Sequence, residues 1–157
     1  YGGNLENRCR FATEIAKSVR KTIPEGMPLF ARISSTDWVE GGWDIEQSVQ
    51  LVKWLKDVGV DLIDCSSGGN VPNAKIPVEP GYQIPFSERI KKETGILTGG
   101  VGLITTAEQA EEIISSGKAD IVLLARQMLR EPYFALNAAK KLNVDLKDFP
   151  NQYLRSK

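Results

Sequence analysis

The sequence predicts an α/β protein of four βα units, arranged as the C-terminal half of a (β/α)8 barrel. Short apolar runs alternate with amphipathic helical patterns, which indicates parallel strands joined by right-handed helical crossovers. Glycines and polar loops cluster after the later strands, where a barrel commonly binds phosphate. A doubly wound sheet usually carries its glycine-rich turn after the first strand, and on the pattern alone it remains the alternative.

In the first half of the chain the pattern predicts a helix, a strand and a second helix. The first helix repeats apolar residues at a spacing of four, at Phe11, Ile15 and Val19. The strand is a short apolar run that leads into a polar loop. Asp44, with Gln47 three residues later, is an N-cap pattern for the second helix. These elements lie at residues 5–21, 29–34 and 45–57.

The second half repeats the alternation with three more strands, of which the last is the most apolar. A glycine- and proline-rich loop over residues 66–85 is longer than a simple connection needs. Gly95 is a C-cap pattern, and Thr105 with Glu108 three residues later predicts a capping box for the next helix. The predicted strands and helices lie at residues 60–65, 86–94, 96–101, 105–117, 121–125 and 132–142.

The composition excludes several classes of function. The 157 residues carry 20 Lys and Arg against 20 Asp and Glu, so no net charge attracts nucleic acid or an anionic membrane. The apolar runs are too short to cross a bilayer and no signal-peptide pattern is present, so we expect a cytoplasmic location. The chain has no histidine, and Cys9 and Cys65 are too far apart for a CxxC motif. We therefore predict no metal site and no His-based triad.

Residues 98–102, followed by a helix start at Thr105, have the chemistry of an anion site. Free backbone N–H groups, small residues and a helix N-terminus come together around Gly100, Val101 and Gly102. Arg126 directly follows the apolar fourth strand, where a cation needs a partner, and a phosphate on the neighbouring loop would be one. A tight turn that needs glycine for its geometry, and a salt bridge for Arg126, are the alternatives.

Further polar residues lie in or after the first two strands. Arg32 is a cation within a strand, which suggests either ligand binding or an ion pair with Asp61 or Asp64. Cys65 is predicted to be a small buried apolar residue rather than a nucleophile. The candidate pocket walls, for which loop solvation is the alternative, are Asp37, Trp38 and residues 66–70.

Several motifs follow one another in the order found in one enzyme family. Residues 1–11, Tyr-Gly-Gly-Asn-Leu-Glu-Asn-Arg-Cys-Arg-Phe, resemble the YGGS-x-ENR-x-RF signature of the old yellow enzyme family. The subgroup that the chain resembles is the bacterial-type NADPH dehydrogenases, or ene reductases, which include the xenobiotic reductases. The resemblance covers nearly the whole chain and continues at residues 29–34, 61–68, 80–83, 98–105 and 126–132.

This resemblance implies an FMN-dependent flavoprotein with a (β/α)8 TIM barrel, which transfers hydride from NADPH to an activated, enone-type alkene. Arg32 would reach the pyrimidine end of the flavin, where a positive charge stabilises the reduced anionic ring. The FMN phosphate would be held by the backbone of residues 100–102, the N–H of Ala125 and the guanidinium of Arg126. The family usually has glycine where this chain has Ala125, so an added methyl group stands near the expected phosphate.

The C-terminal tail carries a further motif of the subgroup. Residues 152–155, Gln-Tyr-Leu-Arg, resemble an ending in which the arginine crosses a dimer interface into the neighbouring active site. Arg155 is therefore a candidate contact to the substrate or across the dimer, and a solvated terminus is the alternative. We expect either a homo-oligomer or pairing with the missing half-barrel.

The resemblance also places the catalytic residues outside this chain. In the family, the His/His or His/Asn pair that binds the substrate carbonyl and the tyrosine that donates the proton lie upstream of the signature. We therefore predict no catalytic residue within residues 1–157, an absent N-terminal half, and no appreciable ene-reductase activity for this chain alone.

Two other interpretations of the sequence differ in function. A non-catalytic half-barrel module that self-associates and retains phosphate or anion binding is the main alternative, because a half-barrel leaves strand edges and apolar faces uncovered. An iron–sulfur relative, such as dienoyl-CoA reductase or trimethylamine dehydrogenase, is disfavoured because no cysteine-rich motif follows Arg130.

Overall fold

In the computed structural model, the chain forms a four-stranded parallel sheet with helices packed on one face. The structure describes residues 1–146 and 150–156. The strands are β1 (Phe30–Ser34), β2 (Leu62–Ser66), β3 (Leu97–Val101) and β4 (Ile121–Leu123). The helices are α1 (Leu5–Thr22), α2 (Ile45–Asp57), α3 (Ile84–Thr94), α4 (Ala107–Ser115), α5 (Arg126–Arg130) and α6 (Phe134–Lys141), followed by a 3-10 helix over Asn151–Ser156.

The strand order in the sheet is β1-β2-β3-β4, with every pair parallel. Successive strands are therefore neighbours, without the reversal of order that marks a doubly wound sheet. This confirms the predicted α/β fold of four βα units. Within the described residues, no helix is both long enough and apolar enough to cross a membrane.

The hydrophobic core lies between the sheet and the helices. Ile63 and Cys65 of β2 are fully buried against Val52 of α2 and Ile90 of α3. A smaller cluster joins Ile84 of α3 to helix α4 and the region of β4. Since side chains alternate across a strand, the core takes every second strand residue and leaves the others on the opposite face.

The opposite face of the sheet, called the open face below, is only partly covered. Register places Phe30 beside Leu62 and Leu97 on this face, and Arg32 beside Asp64 and Gly99. Phe30 and Leu97 are 57% and 52% exposed. Two large apolar side chains on strands are thus left in solvent, as expected for a sheet that builds only part of a barrel.

Local capping fixes where the helices begin and end. Asp44 caps α2 by accepting the Gln47 N–H at 2.8 Å, and Gly95 ends α3 in the left-handed conformation, as predicted. The predicted capping box is wrong by one residue. The N-cap of α4 is Thr106, which accepts the Gln109 N–H at 3.2 Å, while the Gln109 side chain accepts the Thr105 N–H at 3.0 Å.

The region after β3 differs further from the prediction. Strand β4 ends at Leu123, two residues before the predicted end, and is followed by helix α5, which the sequence pattern does not predict. A helix of five residues is too short to show a period in its apolar residues. Its position matters because it places Arg126 and Arg130 next to the ends of β3 and β4.

Candidate functional site

A cleft of about 200 Å³ lies at the carboxyl ends of β3 and β4. It is called the arginine cleft here, because three arginines line it, Arg32, Arg126 and Arg130. Ligands of parallel α/β sheets bind at this end of the strands. The other lining residues are Ser66, Tyr82, Gln83, Val101, Gly102, Leu103, Ile104, Thr105, Leu123, Leu124, Ala125 and Gln127.

Two of the three arginines that line the cleft, Arg126 and Arg130, have no acidic partner among the described residues. Among the described lining residues there is no carboxylate. Arg126 is exposed at the start of α5, and its guanidinium has no partner within the part of the chain that the structure describes. Arg130 donates to the Gln127 side chain at 3.3 Å, a neutral partner that leaves its charge uncompensated. Such a surface favours an anion.

Arg32 is held at the edge of the cleft by two neighbours on β2. Its Nη1 lies 2.6 Å from Asp64 Oδ2, and its Nη2 donates to Ser66 Oγ at 3.0 Å. Of the two predicted ion-pair alternatives, Asp64 is the partner, whereas Asp61 accepts the Leu29 N–H at 2.7 Å and lies 3.6 Å from Arg20. The Arg32 side chain remains 57% exposed, so the guanidinium is oriented but still available.

The backbone after β3 has an unusual conformation. Gly102 has φ +132° and Leu103 has φ +50°, a left-handed value that is uncommon for a residue other than glycine. The Val101 carbonyl accepts from Gln83 Nε2 at 3.1 Å, and the Gly102 carbonyl accepts the Gly81 N–H at 2.8 Å. Within the described residues, the N–H groups of Gly102 and Leu103 donate to no protein acceptor. Two free donors therefore lie in the cleft lining.

Of the six predicted cofactor-binding residues, Gly100 is the one that does not line the cleft. A Cβ at Gly100 would meet Ile84 Cδ1 at 2.8 Å and Ala119 Cβ at 3.3 Å, so this glycine faces the helices. Gly100 is thus placed away from the cleft lining, and its role toward a phosphate stays a prediction. The neighbouring Gly99 faces the other way, since a Cβ there would meet Leu123 Cδ1 at 2.8 Å.

Ala125 stands where the resemblance leads us to expect glycine. Its φ of −103° is negative, so the position does not adopt the left-handed conformation that favours glycine. Ala125 is exposed and lies in the cleft lining next to Arg126. The alanine methyl group is therefore part of the surface that a phosphate would meet.

Gln83 and Tyr82 are cleft residues to which the sequence analysis assigns no role. Gln83 is only 3% exposed, and its Oε1 accepts from Ser67 Oγ at 2.7 Å. Ser67 in turn accepts from Trp38 Nε1 at 3.0 Å. The Pro-Gly-Tyr-Gln motif marks these residues in the sequence, but neither carries a charge that would single it out.

The predicted pocket walls form a network beside the cleft rather than its lining. Asp37 accepts the Trp43 N–H at 3.0 Å and the Asn70 Nδ2 at 2.9 Å, which ties the two loops together. Of Asp37, Trp38 and residues 66–70, only Ser66 lines the arginine cleft.

Two further predicted residues lie away from the cleft chemistry. Cys65 is fully buried and free, and burial together with the Asp64 carboxylate raises the pKa of its thiol to about 12, which excludes a nucleophile. Arg155 is exposed on the 3-10 helix and is not among the described residues of the cleft lining. The side chains of its motif neighbours Tyr153 and Leu154 lie outside the described part of the chain.

A second cavity, of about 470 Å³, lies at the opposite end of β3. Its lining includes Lys91 and Asp120, which form an ion pair at 2.9 Å, and Leu97 at the start of the strand. The amino-terminal end of barrel strands is associated with stability rather than with ligand binding. The arginine cleft is therefore the candidate site.

Comparison with known proteins agrees with the resemblance seen in the sequence. Residues 1–145 match the NADH:flavin oxidoreductase / NADH oxidase family. The chain is 49% identical over 156 residues to an NADPH dehydrogenase of Halalkalibacterium halodurans, and 48% identical over 155 residues to one of Bacillus subtilis. Each alignment covers 99% of this chain and 45% of the relative, so the chain spans less than half the length of these relatives.

A solved structure supports the same assignment. A 2-naphthoyl-CoA reductase in complex with 2-naphthoyl-CoA aligns with a TM-score of 0.80 at 28% identity, over 89% of this chain and 22% of that chain. At the level of the family, the names of these proteins confirm the predicted cofactors, FMN and NADPH. The chain belongs to the NADH:flavin oxidoreductase / NADH oxidase family.

Proposed function

We propose that this chain forms the phosphate-binding part of an FMN-dependent NADPH dehydrogenase that reduces activated, enone-type alkenes. The observation that carries the proposal is the arginine cleft, in which uncompensated guanidinium groups meet two free backbone N–H groups. The names of the similar NADPH dehydrogenases support the reaction class.

The donors in the cleft fit the phosphate of FMN. A phosphate oxygen accepts well from guanidinium and backbone N–H groups, and Arg126, Gly102 and Leu103 supply both kinds. The volume of about 200 Å³ is smaller than the roughly 300–1,000 Å³ of pockets that enclose whole ligands. The cleft therefore suits the phosphate end of the cofactor and leaves its ring system to the open face.

Different residues of the cleft would bind different parts of the cofactor. Arg126 and the N–H groups of Gly102, Leu103 and Ala125 would bind the phosphate, and Arg32, held by Asp64, would face the flavin ring. When bound, FMN supplies the hydride transfer between NADPH and the alkene. The fixed positive charge of Arg32 would favour an anionic ring, because arginine stays protonated throughout the physiological pH range.

Assembly and location form part of the same proposal. We expect the working protein to be a cytoplasmic homo-oligomer in which Arg155 reaches a neighbouring copy, and the exposure of Arg155 supports this. The chain by itself should bind ligand without reducing alkenes, since the expected substrate-binding and proton-donating residues belong to the part of the family fold that this chain does not span.

A non-catalytic half-barrel that self-associates is the second candidate function. The observation that favours it is the exposure of Phe30 and Leu97 on the open face, which a second copy would cover. In this case the arginine cleft would still bind anions, but no flavin reaction would follow.

The test is a titration of the chain with FMN and with riboflavin, which lacks the phosphate, while light scattering gives the mass. A clear preference for FMN supports the phosphate site, and equal binding of both flavins contradicts it. The protein that contains all eight βα units would then be assayed for NADPH oxidation with cyclohexenone. Absence of turnover in a flavin-loaded complete barrel would favour the non-catalytic module.

A further inference from the structure

We infer that Gln83 is a positioning residue that sets the orientation of the anion loop, defined as residues 101–103. It does so by holding the Val101 carbonyl, so that the N–H groups of Gly102 and Leu103 are presented to an anion. This inference rests on the phosphate site of the proposed function. It assigns the preorganisation of that site to one buried amide outside the loop.

A chain of hydrogen bonds fixes which way the Gln83 amide points. Trp38 Nε1 can only donate, so Ser67 Oγ accepts from it, at 3.0 Å, and directs its own hydrogen to Gln83 Oε1, at 2.7 Å. The Gln83 Nε2 group must then face the Val101 carbonyl, which can only accept, at 3.1 Å. Each donor meets an acceptor, and a flipped amide would break the chain at both ends.

The held carbonyls determine where the loop donors point. In a trans peptide, the carbonyl and the N–H of the next residue point in opposite directions. Because Gln83 takes the Val101 carbonyl and the Gly81 N–H takes the Gly102 carbonyl, the N–H groups of Gly102 and Leu103 point away from this segment. Strand β4, with Arg126 after it, lies on that other side of β3.

Gln83 serves the loop rather than its own helix. It occupies the N-cap position of α3, yet its side chain caps no backbone N–H of that helix. The side chain is 3% exposed, and its amide bonds with Ser67, more weakly with Ser66 at 3.5 Å, and with Val101. These bonds join the ends of neighbouring strands, β2 and β3, at the edge of the arginine cleft.

The close approach of Gln83 also explains the glycine in the loop. A Cβ at Gly102 would lie 3.3 Å from Gln83 Nε2 and 3.2 Å from the Tyr82 ring, and φ is +132°. A side chain at this position would push the amide away from Val101. The glycine and the glutamine are therefore parts of one arrangement.

The test compares FMN with riboflavin by ¹⁵N NMR, in the unaltered chain and in Gln83→Leu. We expect Gln83→Leu to weaken FMN binding by about tenfold, because the donors lose their preset orientation, and to change riboflavin binding less than about twofold. The FMN-induced shifts of the Gly102 and Leu103 amide signals should shrink. The matched control is Gln47→Leu, which removes a glutamine that donates to the Gly42 carbonyl at 3.3 Å, away from the cleft. It should leave the preference for FMN unchanged.

The outcomes separate this inference from the proposed function. If the unaltered chain shows no preference for FMN, the phosphate site itself fails, and the role of Gln83 fails with it. If the unaltered chain prefers FMN and Gln83→Leu keeps that preference, or loses both ligands equally, only the positioning role is overturned.

A milder variant covers the case in which Gln83→Leu does not fold. Ser67→Ala removes the shorter of the two hydrogen bonds that Gln83 Oε1 accepts, and leaves the amide in place. It should reduce the preference for FMN by about threefold, in line with the loss of one neutral hydrogen bond. An unchanged preference in a folded Ser67→Ala protein overturns the inference.

Discussion

Replacing Gly100 by alanine should destabilise the fold without weakening phosphate binding. The new Cβ would meet Ile84 Cδ1 at 2.8 Å, Ala119 Cβ at 3.3 Å and Ser87 Oγ at 3.5 Å. These three neighbours are between 0% and 6% exposed, so they have little room to move. Overpacking of this kind costs about 1–3 kcal/mol, and the lower entropy of the unfolded alanine chain offsets about 0.4–1 kcal/mol. The middle of these ranges gives an expected net loss of unfolding free energy of about 1.3 kcal/mol.

Urea unfolding followed by circular dichroism measures this loss, and Gly99→Ala is the matched control. The Cβ of that variant would meet Leu123 Cδ1 at 2.8 Å, but Leu123 is half-buried at the cleft and can turn aside. Gly99→Ala should therefore change the unfolding free energy by less than about 0.5 kcal/mol. The reasoning is refuted if Gly100→Ala is as stable as the unaltered chain and binds FMN more weakly while its affinity for riboflavin is unchanged. Gly100 would then contribute to phosphate binding rather than to packing.

Three other changes test separate parts of the structure. Arg126→Ala should weaken FMN binding about tenfold at low salt, because a charge-assisted bond to the phosphate is lost. The loss should be smaller at high salt, because ions already screen this bond in the unaltered chain. Unchanged FMN affinity contradicts this prediction. Cys65 should resist a thiol reagent at pH 8 until the chain is unfolded, since the pKa of its thiol is about 12; rapid native labelling detected by mass spectrometry would contradict this. Asp44→Ala should cost about 1 kcal/mol of unfolding free energy at pH 7. The Gln47 N–H lowers the pKa of Asp44, so this stabilisation is present above the ordinary pKa of about 3.9 and is lost as pH falls through the lowered native value. Urea titrations at pH 2 should therefore give the same unfolding free energy for Asp44→Ala and the unaltered chain, and a persistent difference contradicts the role of the Asp44 carboxylate.

The helices and strands whose apolar residues repeat with a clear period could be predicted from the sequence. The helix caps that depend on short sequence spacing could be predicted too. The Asp44 cap could be predicted because both partners lie within one turn of helix. The partner of Arg32 could not, because Asp61 precedes β2 and Asp64 lies within it, and only the register between β1 and β2 brings Asp64 beside Arg32.

The role of Gln83 needed the fold for a similar reason. Its partners Ser67 and Val101 lie 16 and 18 residues away along the chain, and they meet only when two strand ends are brought side by side. The direction in which Gly100 faces also depends on register, since a shift of one residue along a strand exchanges its two faces. Sequence spacing therefore predicted an anion site at this loop, but it could not show that Gly100 faces the helices.

The arginines of the cleft can bind a ligand but cannot donate a proton to it. Among its described lining residues there is no carboxylate, imidazole or thiol, and the sequence contains no histidine. Arginine remains protonated near neutral pH, so Arg32 and Arg126 can bind an anion and stabilise negative charge but cannot pass a proton to a substrate. Alkene reduction requires a proton as well as a hydride. We therefore expect these arginines to contribute to flavin binding, and proton delivery to depend on a group other than a guanidinium.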